Sequence, residues 1–425
     1  MSPVAAIVDP YSTGVLIAPA LRRRGYRTVC VQSSSDLAKS LLRTYRAADF
    51  DEHLLFDGDL QSLTDRLRRL APAFVLPGNE SAVELADLLS HALGTRGNVF
   101  ELSAARRNKY LMIERIAAAG LYTARQTTVA SAAQAVAWAE ETGWPVVAKP
   151  LDSASTDNVS VCSDAEALTR AVGQILSSVN FCGRRNEMAL LQTYLDGEEY
   201  VVNTVSRDGR HYVCDVLHSK KRTLNGSPFV YDYYRLLPAD GELQRDLVSY
   251  ILKALDALGI RNGASHAEIR MTSRGPALVE VAARAMGPLG STTAMAAGTG
   301  HDQVDLLVDA FDGGKEIEQR CGKDYPFLQH AMCLYLATTV SGRVSAMADC
   351  GLLDRLESVR GYQFLPRVGD VLRPTQDLTS VLAKIYMAHP DPEVLEADYR
   401  AIRAAEGELQ PVVERESGSD RRPAA

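Results

Sequence analysis

Residues 4–8 (VAAIV) form a short apolar run that breaks into the turn-rich DPYSTG, and an amphipathic stretch over 15–24 ends at Gly25. Three more short apolar runs follow at 28–32, 53–56 and 74–76, the last leading into PGNE. Strands that alternate with helices predict a parallel sheet, and ligands of such sheets sit beyond the C-terminal strand ends. That singles out the loops 9–14 and 77–80. Within the second loop, Asn79 and Glu80 face either a cleft or the N-terminus of a helix over 81–89, where they would serve only as caps.

Farther along, NKYLMIERIAAAG has a helical period and stops at Gly120, and a second helix over 132–141 closes at Gly143. The strand WPVVAKP, the polar loop DSASTDNVSV and a helix over 165–177 come next. Strands are predicted at 188–194, 200–206 and 211–217, the last two flanking an Asp208/Gly209 turn, with a helix over 246–258. Strands and helices mix again from about 327, and the last fifteen residues, PVVERESGSDRRPAA, are polar and read as a disordered tail.

The run GASHAEIRMTSRGPALVEVAARAMG reads as a hairpin, with alternation over 266–271 and 277–284 around turn residues 272–275. With its loop centred on Arg274, Glu268 stands opposite Glu280 and His266 opposite Ala282. His266, Glu268, Arg270, Glu280 and Arg284 then share one face, while Ala267, Ile269, Met271, Val279, Val281 and Ala283 make the core face. Opposed Cβ atoms lie about 4.5–5.5 Å apart, so two carboxylates there repel. A Mg²⁺–polyphosphate complex would relieve that repulsion, because Mg²⁺ is commonly held by one or two carboxylates and phosphate oxygens. A surface hairpin with two solvated glutamates fits the hairpin alone equally well.

Composition narrows the classes. The chain has 425 residues, 46% hydrophobic and 23% charged, with a net charge of −7. At about 100–200 residues per domain, two to four domains are expected. The negative balance gives no support for a nucleic-acid or membrane partner. Seven cysteines are scattered and never spaced CxxC, which argues against a zinc site or disulfide framework and fits a reducing cytoplasm. The opening MSPVAAIVDP lacks the charged region of a signal peptide, and no apolar run approaches a membrane span.

Lys149 ends the apolar strand VVAKP, where it either meets an anion or snorkels from a surface turn. The small polar residues after it suit backbone N–H contact with phosphate, although the Walker A spacing is absent. Lys109 at a helix start, Lys149 with its loop, LLQTYLDGEEY at 190–200 and the two-glutamate hairpin with Arg284 follow one another in order. In that order the chain resembles the ATP-grasp ligases. LPGNESAVELADLLSHALG, RRNKYLMIERIAAAGL, AKPLDSASTDNVSVC, GASHAEIRM and LVEVAARAMG are most similar to the L-amino-acid ligases, which make dipeptides and related amides.

The resemblance implies an ATP-grasp fold of mixed α/β and α+β class. It consists of a Rossmann-like parallel-sheet domain over 1–105, a two-lobed nucleotide-binding region over 106–310 with a lid at about 125–200, and a C-terminal α+β region over 311–410. The disordered tail would cover 411–425. ATP and one or two Mg²⁺ ions are the implied cofactors. Lys109 and Lys149 would meet the ATP phosphates and the adenine edge, Ser153, Ser155, Thr156 and Asn158 would belong to the lid, and Gln192, Tyr194 and Leu195 would line adenine. Glu199 would bind the ribose hydroxyls, Glu268 and Glu280 would hold the metal, and Arg284 would stabilise the transferring phosphoryl group.

Glu80, His266, Tyr231 and Arg284 are the substrate candidates, although aromatics near a turn more often pack a core edge. Small-molecule carboxylate and amine partners are implied, and a homodimer is expected because ATP-grasp enzymes are often dimers. Two departures stand out: Ala282 occupies a position where many members carry a metal-binding Asn, and the lid lacks glycine. They keep open a silent nucleotide-binding regulator beside the ligase, while shared machinery keeps open a biotin-carboxylase-like or purine-pathway enzyme.

Overall fold

The computed structural model describes residues 2–37, 39–153, 156–180, 183, 185–287 and 291–414, with the backbone alone for 39–40 and 291–294. The chain divides into two compact units, one of residues 1–218 with 236–327 and one of residues 219–235 with 328–425.

The first unit opens with β1 (Val4–Val8), α1 (Ile17–Arg23), β2 (Arg27–Gln32), α2 (Lys39–Leu42), β3 (Glu52–Leu55), α3 (Leu60–Leu70), β4 (Pro72–Pro77) and α4 (Val83–Leu93). The strands form a parallel sheet in the order β3-β2-β1-β4. Polar–apolar alternation is absent from β1 because both of its faces are covered: the strand is buried along its whole length, as parallel strands between helices are. Strand order reverses between β1 and β4, so the expected loops 9–14 and 77–80 emerge side by side at the switch point. They touch backbone to backbone. A Cβ on Gly14 would stand 2.2 Å from the Gly78 carbonyl oxygen, and one on Gly78 would stand 2.5 Å from the Asp9 oxygen. Buried Asp9 takes a left-handed φ of 46° and accepts hydrogen bonds from Ser33 N at 2.8 Å and from Ser33 Oγ and Ser81 Oγ.

The segment after α4 is fixed by a buried ion pair. Arg106 Nη2 lies 2.6 Å from Asp87 Oδ2, with the arginine side chain fully enclosed. Its Nη1 also donates to the Leu258 and Val99 carbonyls at 2.9 and 3.0 Å. Next comes α5 (Lys109–Ala118), and then a small lobe of β5 (Gln126–Val129), α6 (Ala132–Thr142), β6 (Val146–Pro150), β7 (Ser160–Cys162), α7 (Ala165–Ser177) and β8 (Ala189–Thr193). Its antiparallel sheet runs β5-β8-β6-β7, and Val129, Ala139, Val146, Leu168, Val172 and Leu191 pack against one another in the lobe's core. Ser131 and Asp164 cap the two helices by accepting from Gln134 N and Ala167 N.

β9 (Glu198–Arg207) leads into β10 (Arg210–Leu224), which passes into the second unit, and β11 (Ser227–Leu236) returns. After α8 (Glu242–Ala257), β12 (Gly263–Thr272) lies antiparallel between β9 and β13 (Gly275–Ala282). The expected pairs Glu268↔Glu280 and His266↔Ala282 are present. Beyond them a bulge shifts the register, so Ile269 pairs with Leu278 and the turn closes between Thr272 and Gly275 rather than on Arg274. The bulge also alters the core face: Leu278 is buried, while Val279 and Met271 are half-buried. α9 (Ser291–Thr299), α10 (Gln303–Phe311) and α11 (Lys315–Arg320) complete the unit.

The second unit adds β14 (His330–Leu336), β15 (Gly342–Ala346), β16 (Val359–Phe364), β17 (Val371–Leu372), β18 (Ala383–His389), α12 (Pro392–Ala404) and β19 (Val412–Glu414). β14 pairs with β11 and β18, β18 pairs with β16, and β15 pairs with β17 and β19. The second unit takes in 219–235 together with the chain from 328, a different grouping from the C-terminal region expected over 311–410. Residues 412–414, expected in the tail, form a strand; the rest of the tail expectation, 415–425, lies outside the described residues. Among the described residues no helix is long and apolar enough to cross a membrane.

Candidate active site

The start of α5, the end of β6 and the β12–β13 hairpin bring the candidate residues together. Asn108 caps α5 by accepting from Tyr110 N and Leu111 N at 3.0 and 3.1 Å, which places Arg107 just before the helix and Lys109 in its first turn. Both reach the residues after β6. Lys109 N donates to the Leu151 carbonyl at 2.8 Å, Arg107 Nη2 to the Asp152 carbonyl at 3.0 Å, and Lys109 Nζ to the Ser153 carbonyl at 2.8 Å.

Lys109 Nζ also lies 2.6 Å from Glu280 Oε2, so one ammonium joins the carboxylate pair to the loop base. Lys149 is 4% exposed. Burial, assisted by the neighbouring charge of Lys109, pulls its ammonium down to about 8, against the opposing pull of Glu280, Glu268 and Glu199. A lysine in this setting keeps its proton best when a polyanion joins it.

His266 is buried beside the pair, with Nε2 3.5 Å from Glu268 Oε1. Its Nδ1 lies 2.9 Å from Asn203 Oδ1, and Asn203 Nδ2 donates to Asp215 Oδ1 at 2.7 Å. Burial pushes the Asp215 carboxyl up to about 7. Along β9, Glu199 pairs in register with Arg270, whose Nη2 lies 3.6 Å from Glu199 Oε2. Arg270 also donates to the Leu195 carbonyl at 2.9 Å and stands 5.4 Å from the Tyr194 ring centroid. It therefore braces the segment expected to line adenine.

Glu80 stands at the switch-point loop between two arginines. Arg107 Nη1 donates to Oε1, and Arg284 Nε lies 2.9 Å from Oε2 at an angle outside hydrogen-bond geometry, making that contact an ion pair. Burial raises the Glu80 carboxyl, but Arg107, Arg284 and Lys109 outweigh it and hold the group below the ordinary glutamate range. Asn79 is a cap, accepting from Ser81 N at 2.9 Å, so the alternative read for this loop applies to Asn79 and not to Glu80.

Other sequence candidates divide. Gln192 is buried and donates to Gln126 Oε1 at 3.0 Å, whereas Tyr194 is exposed. Ser153 Oγ donates to Asp157 Oδ2 at 2.6 Å, and Thr156 and Asn158 both take left-handed φ values, 59° and 52°. The turn survives without glycine, as expected for Asn but not for a β-branched Thr. Ser155 lies outside the described residues. Tyr231 belongs to the second unit, where it is buried with Tyr234 and Tyr335 at 5.7 Å from each ring and Lys221 Nζ stands 4.8 Å from its centroid. That packing is the alternative the sequence offered beside a substrate role for Tyr231. Sequence reasoning missed Arg107, Asn203 and Asp215. Only the arginine left a signal, since a cation immediately before a cap Asn projects past the helix end.

Among the described residues no three His, Cys, Asp or Glu side chains form a group able to hold a metal. Glu268 and Glu280 are thus an opposed pair, half-buried and flanked by lysines. Such a donor set suits Mg²⁺, which keeps waters and takes phosphate oxygens for its remaining positions.

Residues 142–293 match the family model of an ATP-grasp domain. The chain is 33% identical over 414 residues to dapdiamide A synthase of Enterobacter agglomerans, covering 96% of each chain. It is also 26% identical over 244 residues to alanine–anticapsin ligase of Bacillus subtilis, covering 53% of this chain and 51% of that one. The solved L-amino acid ligase of Bacillus licheniformis superposes with a TM-score of 0.77 at 19% identity, over 97% of this chain and 99% of that one. With the hairpin carboxylates, the buried lysine and the paired arginine in place, the chain belongs to the ATP-grasp ligases, enzymes that join a carboxylate to an amine.

Proposed function

We propose that this protein uses ATP to join an amino acid or related carboxylate to an amine or a second amino acid. The observation that carries this reading is the convergence of Glu268 and Glu280 with Lys109 and Lys149 on one side and the Glu80–Arg284 pair on the other. The γ-phosphoryl group passes to a carboxylate oxygen and ADP leaves. The amine nitrogen then attacks the acyl carbon, phosphate departs and the nitrogen loses a proton, leaving an amide.

Glu268 and Glu280 would hold Mg²⁺, which when bound neutralises phosphate charge. Lys149 and Lys109 balance the polyanion, and Arg284 faces the group in transfer. The loop after Lys149, with backbone held by Arg107 and Lys109, covers the phosphates and keeps water from the acyl phosphate. Tyr194 and Leu195 border adenine, and Glu199 reads the ribose. All six described cysteines are free, which suits the cytoplasm.

The test is a phosphate-release screen with ATP, Mg²⁺ and pairs of L-amino acids, with mass spectrometry of the products. Phosphate and a dipeptide appearing together are expected. Release stimulated by bicarbonate alone, or nucleotide binding with no release for any pair, would defeat the reading.

A further inference from the structure

His266 pairs in register with Asn203 of β9 on one side and with Ala282 of β13 on the other. Ala282 offers the carboxylate pair no donor, so the polar chemistry of this row comes from His266 and Asn203. Only one orientation of the Asn203 amide suits its neighbours. Its Nδ2 meets two acceptors, Asp215 Oδ1 at 2.7 Å and Met286 Sδ at 3.2 Å, which leaves Oδ1 for His266 Nδ1 at 2.9 Å. An acceptor at that position places a proton on Nδ1, and in the neutral ring Nε2 then carries the lone pair. Nε2 lies 3.5 Å from Glu268 Oε1, beyond the charge-assisted N–H···O bond of about 2.7–2.9 Å that a protonated ring makes.

Asp215, Asn203 and His266 are all buried, and they come from three adjacent strands, β10, β9 and β12. They form a polar line through the sheet that ends at the carboxylates. A ring held at one nitrogen by a polar partner, with the other nitrogen beside a carboxylate, has the support that metal-binding histidines have.

We infer that His266 is a metal ligand through Nε2, and that with Glu268 it biases the nucleotide's metal site from Mg²⁺ towards a divalent ion that accepts nitrogen, such as Mn²⁺. Mg²⁺ takes oxygen donors, whereas imidazole favours first-row transition ions. The inference rests on the proposed function, in which Glu268 and Glu280 hold the metal. Glu280 Oε2 is 2.6 Å from Lys109 Nζ, so His266 and Glu268 are the protein donors already assembled, and water and phosphate oxygens supply the remaining positions. Asn203 is a positioning residue, because it fixes which ring nitrogen is bare.

The test reads the ligands of the ion itself. Wild-type protein, unlabelled or labelled with ¹⁵N-histidine, is mixed with Mn²⁺ and a β,γ-methylene analogue of ATP, and pulsed electron paramagnetic resonance records the nuclei bonded to Mn²⁺. A directly coupled nitrogen whose signature changes on histidine labelling is expected, and it should vanish in His266→Gln. Calorimetry adds a second readout. His266→Gln should weaken Mn²⁺ binding to the nucleotide complex by about tenfold to a hundredfold, with Mg²⁺ binding within about threefold of wild type. Asn203→Leu removes the acceptor at Nδ1 and should weaken Mn²⁺ binding about tenfold.

The wild-type spectrum decides the matter whether or not the variants fold. Bound Mn²⁺ with no histidine nitrogen among its ligands overturns the inference and leaves the ligase reading intact. Equal losses of Mn²⁺ and Mg²⁺ affinity in folded His266→Gln would mark a structural role and overturn it as well. Phosphate release is measured separately. Its failure for every amino-acid pair, beside a nitrogen-coordinated Mn²⁺, would remove the ligase reading and keep the ligand.

Discussion

Lys149 shows how a single residue is set by opposing forces. Burial and Lys109 disfavour its charge, three glutamates favour it, and the balance falls at about 8 instead of the usual 10.5. Because the folded value is depressed, the unfolded chain holds the proton more tightly between those limits. Lys149 therefore opposes folding at neutral pH, and that penalty fades as pH rises from about 8 towards 10.5. Anion binding runs the other way. Nucleotide affinity should fall as pH rises through about 8, and Lys149→Arg should remove that step, since guanidinium stays charged. Calorimetric titration across this range checks it; an identical step in the variant would assign it to another group. At Arg284, truncation to alanine should lower turnover by about a hundredfold or more, with a much smaller change in nucleotide binding. Full turnover in that variant would remove Arg284 from the chemistry.

At the scale of elements, periodicity carried most of the fold. The helix expected over 165–177 is α7 residue for residue, and the alternation around Glu268 and Glu280 placed both carboxylates opposite one another. What the alternation could not contain was the bulge after Glu268, because a one-residue shift depends on how β12 fits between β9 and β13. The polar supports were hidden for a similar reason. Asn203 meets His266, and Asp215 meets Asn203, only after strands distant in sequence are laid side by side. Asp87 and Arg106 illustrate the cost of such partners. Asp87→Asn leaves a fully enclosed guanidinium without its counter-charge and should destabilise the protein by about 3–5 kcal/mol. Urea denaturation reads this directly; a loss below about 1 kcal/mol would mean that the Leu258 and Val99 carbonyls suffice.

On the scale of the whole molecule, the sequence revealed a C-terminal region but not its dependence on an earlier segment. Patterning along a chain reports which residues are apolar, not which distant strand will cover them. β11 supplies Tyr231 and Tyr234 to the second unit, where Tyr335 of β14 packs against both. A chain ending at Phe327 is expected to lose that cover and to be recovered mainly as aggregate. Size-exclusion chromatography decides the matter, and a monodisperse monomer would show that β11 needs no later partner.

The same divided unit has a consequence during synthesis. Residues 219–235 leave the ribosome before the chain from 328 that completes their unit, a gap of roughly ninety residues. At about 5–20 residues per second, translation takes some 5–20 s to cross it. For that interval a strand bearing buried-type tyrosines waits unfinished, while the first unit, whose last residues lie in the gap, is still being closed. The order in which the ribosome delivers this enzyme is therefore also the period in which its nascent chain most needs a chaperone.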